Sequence, residues 1–380
     1  MNGTPNPAAV PVAALRASGE VIVYRLYDLG YEINLDRVVS LLVGSDPERP
    51  RPVRGEAQAL EIPNPPVTAH LGVERVAIGG RTEEVEFSVR VFDFGVISMR
   101  ARVALPSDVP WAEFVQHGTR CGGAPAWREA FPRMSESLLA RLAPAIAKPG
   151  GSPVTEDYVV FRIHRLTDGE GHSVPTERLL DEDIAPLLIG EARPLTPATR
   201  RELLSQRFSY FEDDLAVLTW NAALVVEPAA EDTDVQYILE FANAQLLELR
   251  FYDALLDQEL PAMYDRIEEA RHGFHLLGRR YSRLLAALQA RVAETTELVE
   301  RTENALKVTD DVFLARIYAA ALEIFRGPAW RAGVDGKLAI VRDTYAMLNA
   351  ESQARRSEAL ELIIVLLIVF EIVTALLWRG

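Results

Sequence analysis

The sequence predicts an α+β protein. An α/β-like N-terminal part built on a mixed sheet is followed by an all-helical antiparallel coiled-coil or bundle part and one C-terminal transmembrane helix. Three observations predict this. Residues 20–226 carry short β-branched or alternating runs broken by Gly, Pro and Asp turns. Beyond Pro228 the apolar period changes from 2 to about 3.5. From Leu362 to Trp378 the chain is nearly pure hydrocarbon. The expected organisation is a flexible arm over 1–19, a sheet-containing domain over 20–228, a helical domain over 234–352 and a membrane helix over 360–378.

The elements follow in order. Met1–Gly19 is rich in Pro and Ala and lacks a basic region followed by an apolar run, so it does not read as a secretory signal. Val21-Ile22-Val23-Tyr24-Arg25-Leu26-Tyr27 suits a largely buried strand. Asn34-Leu35-Asp36 opens a short helix, and a Pro- and Arg-punctuated loop runs from Asp46 to Pro66. Val73–Ile78 and Glu84–Leu105 are strand-like, with Gly79-Gly80 as the hairpin turn between them. The second run is long enough to need a bend, and Gly95 is the natural place for it. Helices are expected around Trp111–Gln116 and Met134–Ala147. Strands follow at Asp157–Leu166, Phe208–Phe211, Leu215–Thr219 and Ala222–Val226, economically arranged as two β–α–β-like units on one sheet.

In the helical part, Val235, Ile238, Ala242, Leu249, Tyr252 and Leu256 recur at heptad-like spacing. Leu285, Leu288, Val292, Val299 and Leu306 repeat the pattern, as do Leu338, Val341, Tyr345 and Leu348. Such a series reads as an intramolecular bundle core, with interchain pairing as the alternative. Pro261 kinks or restarts a helix, and Gly327-Pro328 breaks the array. The anchor would run through Leu362 and Phe370, carry Glu371 near its middle and end on Trp378 at one interface. An ionised glutamate facing lipid costs about 2.5–3.5 kcal/mol, so Glu371 is expected protonated or at a helix–helix contact. A proton pathway built on it would need several spans, hence an oligomer.

Composition narrows the function classes. A formal net charge of -15 and a pI near 5.0 repel phosphate backbones, and no direct nucleic-acid contact is expected. One cysteine, Cys121, excludes an intrachain disulfide framework. Gly118-Thr119-Arg120-Cys121-Gly122-Gly123 lacks the lysine of a phosphate-binding loop. Cys121 beside Arg120 is a weak nucleophile candidate, because no histidine is placed to activate it. His272 and His275, with Glu268 and Glu269 one turn earlier, fall short of a metal set, and a solvated helix end is the blander reading. Asp213-Asp214 reads as a turn, and Asp168–His172 as a polar turn. No catalytic, cofactor-binding or metal residue is assigned.

The run Phe92-Asp93-Phe94-Gly95-Val96-Ile97, read as a strand, resembles the F-D-[YF]-G-V signature of the family named "required for meiotic nuclear division", catalogued as domain of unknown function 155. Leu360-Glu361-Leu362-Ile363-Ile364, with Leu367–Ile372, is similar to that family's C-terminal motif. Leu362 stands where a tryptophan is frequent, and the Ser-His-Ala helix of eukaryotic members is not evident, so a bacterial-type or divergent member is implied. The resemblance implies an α/β N-terminal part, a helical C-terminal part and a membrane anchor. Eukaryotic members are linked to the mitochondrial inner membrane and to mitochondrial translation.

The expected function is a membrane-tethered, non-catalytic scaffold or adaptor, self-associating through its helices. Its partners would be the lipid bilayer, copies of itself and an unknown cytoplasmic protein, with the bulk of the chain cytoplasmic at a bacterial inner membrane. The alternative is a membrane-surface enzyme with a pocket in the α/β part. A deep pocket with convergent ionisable groups favours the enzyme, and an exposed apolar helical stripe favours the scaffold.

Overall fold

The structure, a computed structural model, describes residues 15–48, 60–61, 64–150, 154–191, 193–228, 233–272, 293, 296, 307–308 and 311–378. The chain divides into two compact units: residues 1–248 with 301–328, and residues 249–300 with 329–380.

The first unit is built on a nine-stranded sheet. Its first strands are β1 (Arg16–Asp28), β4 (Val67–Ile78), β5 (Arg81–Val91), β6 (Val96–Ala104) and the short β7 (Val109–Pro110). β9 (Thr155–Thr167), β10 (Arg207–Phe208), β11 (Leu215–Leu218) and β12 (Ala222–Val226) complete it. The order is β10-β11-β12-β9-β1-β6-β5-β4, with β7 paired to β1. Every pairing is antiparallel except β12 with β9, so the two expected β–α–β units reduce to one parallel junction in a mixed sheet. Two-stranded pairs join β2 (Gly30–Ile33) to β8 (Ile146–Pro149), and β3 (Leu60–Glu61) to β13 (Lys307–Val308). β1 begins at Arg16, so the strand takes in the last residues of the expected arm.

Two turns set the register. Gly79 and Gly80 have φ of 56° and 81°, the two positive values that a two-residue type I′ hairpin requires. The expected long strand after them is instead β5 and β6, reversed at Phe92-Asp93-Phe94-Gly95. The four motif residues are therefore a turn rather than a strand. Gly95 takes φ 100°, where an added Cβ would collide with the Gly30 carbonyl oxygen.

Strand alternation sorts the two faces of the sheet. Val21, Val23, Phe87, Val89, Met99, Ala101, Phe161 and Ile163 face one core. That core is capped by α2 (Trp111–Gly122), α3 (Trp127–Leu142) and α4 (Ala185–Ile189), through Phe114, Phe131 and Leu187. Two short helices, α1 (Leu35–Leu41), capped by Asn34, and α5 (Pro197–Leu203), capped by Thr196, complete this side of the chain order.

The opposite face carries Glu20, Tyr24, Ser88, Arg90, Ser98, Arg100, Tyr158 and Arg162. It is covered by the start of α6 (Asp234–His272) and by α7 (Val312–Ile324). Residues 235–248 of α6 are buried on almost every side, polar ones included. Arg90 pairs with Glu240 and lies 5.0 Å over the Tyr237 ring, while Phe241 meets the rings of Phe92 and Phe94, each at 5.9 Å.

The second unit pairs residues 249–272 of α6 with α8 (Gly327–Leu377). Lys337 Nζ reaches Asp253 Oδ1 and Asp257 Oδ1, each at 2.7 Å, and Arg250 lies over Trp330. Met263 and Ile267 pack with Val341 and Leu348. Residue numbers rise together along both helices, so this pair is parallel, as the first and third helices of an antiparallel array are. α6 continues through Pro261, and the expected break falls between α7 and α8, at Gly327-Pro328. The heptad series Leu285–Leu306 lies outside the described residues, apart from single backbone positions.

Among the described residues no helix is long and apolar enough to cross a membrane. The expected single-pass anchor at Leu362, Phe370, Glu371 and Trp378, and the inner-membrane location that rested on it, are therefore not supported. The uninterrupted run 362–370 rises only about 13 Å, against a hydrocarbon core near 30 Å. Glu371, exposed, ends that run. The stretch is the last part of the 51-residue α8, with Phe370 66% and Trp378 94% exposed.

Candidate functional site

A cleft of about 980 Å³ opens at one end of the first unit. Four pieces of chain meet there: the loop 209–214 between β10 and β11, the end of β12 with Glu227-Pro228, the first turn of α6 and the first turn of α7. Each element brings a carboxylate for a local reason. Asp311 caps α7, its Oδ1 accepting from the amides of Phe313 at 2.9 Å and Leu314 at 3.0 Å. Asp234 occupies the first turn of α6, where the helix dipole favours a negative charge. Asp214 Oδ1 accepts the Tyr210 amide at 2.7 Å and closes the turn that Asp213-Asp214 was expected to make. Glu227 follows β12 directly.

Aromatic rings stand beside these charges. Tyr210 and Phe211 have ring centroids 4.8 Å apart, and Tyr210 lies 5.7 Å from Phe313. Tyr210 is 69% and Phe211 63% exposed, an unusual display of large apolar surface on a loop. The remaining lining is Leu215, Ala216, Val225, Val226, Pro228, Val235, Val312 and Leu314, with no histidine, cysteine, serine, threonine, lysine or arginine.

The electrostatics follow from this crowding. Burial pushes the Glu227 carboxyl above its usual range, with Asp234 and Asp214 adding to the rise, against a hydrogen bond from Thr233 and the charge of Arg162. Its Oε2 is buried without a hydrogen-bond partner among the described residues. Asp234 is raised as well, by desolvation first and by Asp311 second. No group of three or more ligating side chains among the described residues is placed to hold a metal ion. The cleft thus offers a spread negative field with apolar rings at its edge, suited to an extended organic cation rather than a point ion.

The other sequence candidates fall elsewhere. Cys121 is fully buried, and burial raises its thiol above the ordinary range, the opposite of an activated nucleophile. Asp168 closes a surface turn by accepting the amides of Glu170 and His172. His275 and the side chains of His272 and Glu269 lie outside the described residues. Phe92, Asp93, Phe94 and Gly95 form the turn that packs on Phe241, and Asn64 donates to Asp93 Oδ2 at 2.7 Å. Sequence reasoning missed the cleft for two reasons. Tyr210 and Phe211 read as strand residues, whereas β10 stops at Phe208. Asp311 and Phe313 arrive from a distant part of the chain, and their only local signal is the Asp cap before an apolar run.

A family model for the N-terminal domain of the uncharacterized protein MJ0711 matches residues 18–233. The uncharacterized protein MJ0711 of Methanocaldococcus jannaschii is 22% identical over 243 residues, 64% of this chain and 73% of that protein. No solved structure matches. The match takes in the sheet and the β10–β12 side of the cleft, over more than half of the chain, and the chain belongs to the family of the MJ0711 N-terminal domain.

Proposed function

We propose that the chain is a non-catalytic adaptor that receives a basic segment of a protein partner in the acidic cleft. The observation that carries this is the cleft's lining: five carboxylates and three aromatic rings with no cation among them. Lysine and arginine side chains pair with carboxylates and stack on ring faces, and both contacts strengthen in a half-buried cleft. The overall charge of -15 would draw a basic partner toward this surface. The Phe92–Ile97 turn and the 360–372 segment resemble the "required for meiotic nuclear division" family, for which no catalytic residue maps onto this chain.

Self-association through the helices belongs to the proposal. Leu360, Ile363, Leu366, Val369 and Val373 of α8 are each 47–61% exposed, surface that a second copy would cover.

An enzyme is the second reading, favoured by the raised carboxyls of Glu227 and Asp234, which could hold a transferable proton. Fluorescence anisotropy separates the two. A short Lys/Arg peptide should bind and weaken with salt, while an acidic peptide of equal length should not. Asp213→Asn combined with Asp234→Asn should weaken the basic peptide about tenfold or more. Equal binding of both peptides, or none, defeats the adaptor.

A further inference from the structure

A second pocket, of about 400 Å³, lies between one side of α2 and the start of β5. It is lined by Arg81, Ala112, Glu113, Gln116, His117 and Arg120, and it is remote in sequence from the cleft. Its inner wall is a chain of polar contacts. Glu83 Oε1 holds Arg120 Nη2 at 2.7 Å, the same Nη2 stands 3.1 Å from His117 Nδ1, and His117 Nε2 stands 3.4 Å from Glu113 Oε1. A guanidinium only donates, so Nδ1 accepts and the proton sits on Nε2, directed at Glu113. His117, 7% exposed, is thereby fixed in orientation between the two. The Gly79 turn lies over the Arg120 stem, where a Cβ would come within 2.8 Å of Cγ and Cδ.

The mouth carries the groups that remain. The Arg81 and Gln116 side chains are exposed and make no ion pair or hydrogen bond with a described residue, and the Glu113 side chain is 48% exposed. One cation, one carboxylate and one amide therefore border a space of small-ligand size. A simple anion would satisfy Arg81 but meet the Glu113 charge, and a simple cation would reverse the mismatch. A neutral molecule carrying both charges satisfies the pair. We propose that this pocket binds a free α-amino acid, its carboxylate on Arg81, its ammonium on Glu113 and its polar flank on Gln116.

Saturation-transfer NMR of the full chain with a mixture of the standard L-amino acids tests this. Whichever one responds is then retested N-acetylated and as its amide. The free zwitterion should bind at least about tenfold more tightly than either blocked form. Arg81→Gln and Glu113→Gln should each lose about tenfold in affinity with an unchanged unfolding midpoint, since both side chains are at the surface. The proposal is overturned if the N-acetyl form binds as well as the free one, if the amide does, or if nothing responds at about 10 mM.

Discussion

At the scale of single residues, Asp28 is the clearest departure from surface chemistry. It is 4% exposed beside the Gly95 turn, its Oδ1 accepts the Gly30 amide at 3.1 Å and its Oδ2 has no partner among the described residues. Burial pushes its carboxyl up to about 7, against the opposing pull of the Gly30 amide. In the unfolded chain the same group titrates near 4. Between about pH 4 and 7 the folded chain therefore keeps a proton that the unfolded chain has released, and stability falls as pH rises through that window. Urea unfolding near pH 5 and near pH 8 should show this residue costing the wild type about 2–3 kcal/mol at the higher pH. Asp28→Asn should remove that part of the pH dependence. An identical pH dependence in both proteins would show that Asp28 ionises normally.

At the scale of elements, the joint between the sheet and α6 decides how the first unit holds together. Arg90 on β5 and Glu240 on α6 form a buried pair, with side chains 10% and 1% exposed. Removing one partner takes the paired charge away from the other at a buried site, so Glu240→Leu should cost about 3–5 kcal/mol. Arg90→Met with Glu240→Leu should cost clearly less, because both buried charges are then removed together. Additive losses in the double variant would mean that the two side chains act independently.

This joint also shows what the sequence could and could not reveal. The strands were legible because Val85, Phe87, Val89 and Val91 alternate, and Gly79-Gly80 announced a hairpin. The alternate positions, Ser88, Arg90, Ser98 and Arg100, are polar yet buried, and Arg90 meets Glu240 and Tyr237 of α6 there. The Phe92–Gly95 turn was hidden because two phenylalanines look like strand. They are buried against Phe241, more than 140 residues away in the chain. The heptads marked helices where α6 and α8 lie, but spacing alone carries no direction. The run from Leu362 was read by hydropathy alone, and the helix it belongs to carries charge on both sides of it. The acidic cleft was legible only as Asp213-Asp214, because its other carboxylates come from separate elements.

At the scale of the whole molecule, two surfaces carry the account. The exposed apolar stretch of α8 should drive copies together in water, with its burial contributing about 25 cal/mol for each Å² covered. Light scattering on the full chain should give a mass above one chain, and a chain ending at Ser352 should give a single-chain mass. Equal masses would remove self-association through this stretch. The acidic cleft should take up cations less well as pH falls, because protonating Glu227 and Asp234 removes the attracting charge. Both carboxyls are raised, so the loss should begin at higher pH than ordinary carboxylates allow. The most direct test of the cleft is zero-length carbodiimide coupling of a lysine-containing basic peptide to the full chain, read by mass spectrometry. The chain has 55 aspartates and glutamates, so the position of the adduct is informative. The account predicts adducts concentrated on Asp213, Asp214 and Asp234 and suppressed by salt. Adducts spread over the surface carboxylates, or centred away from these residues, would contradict it.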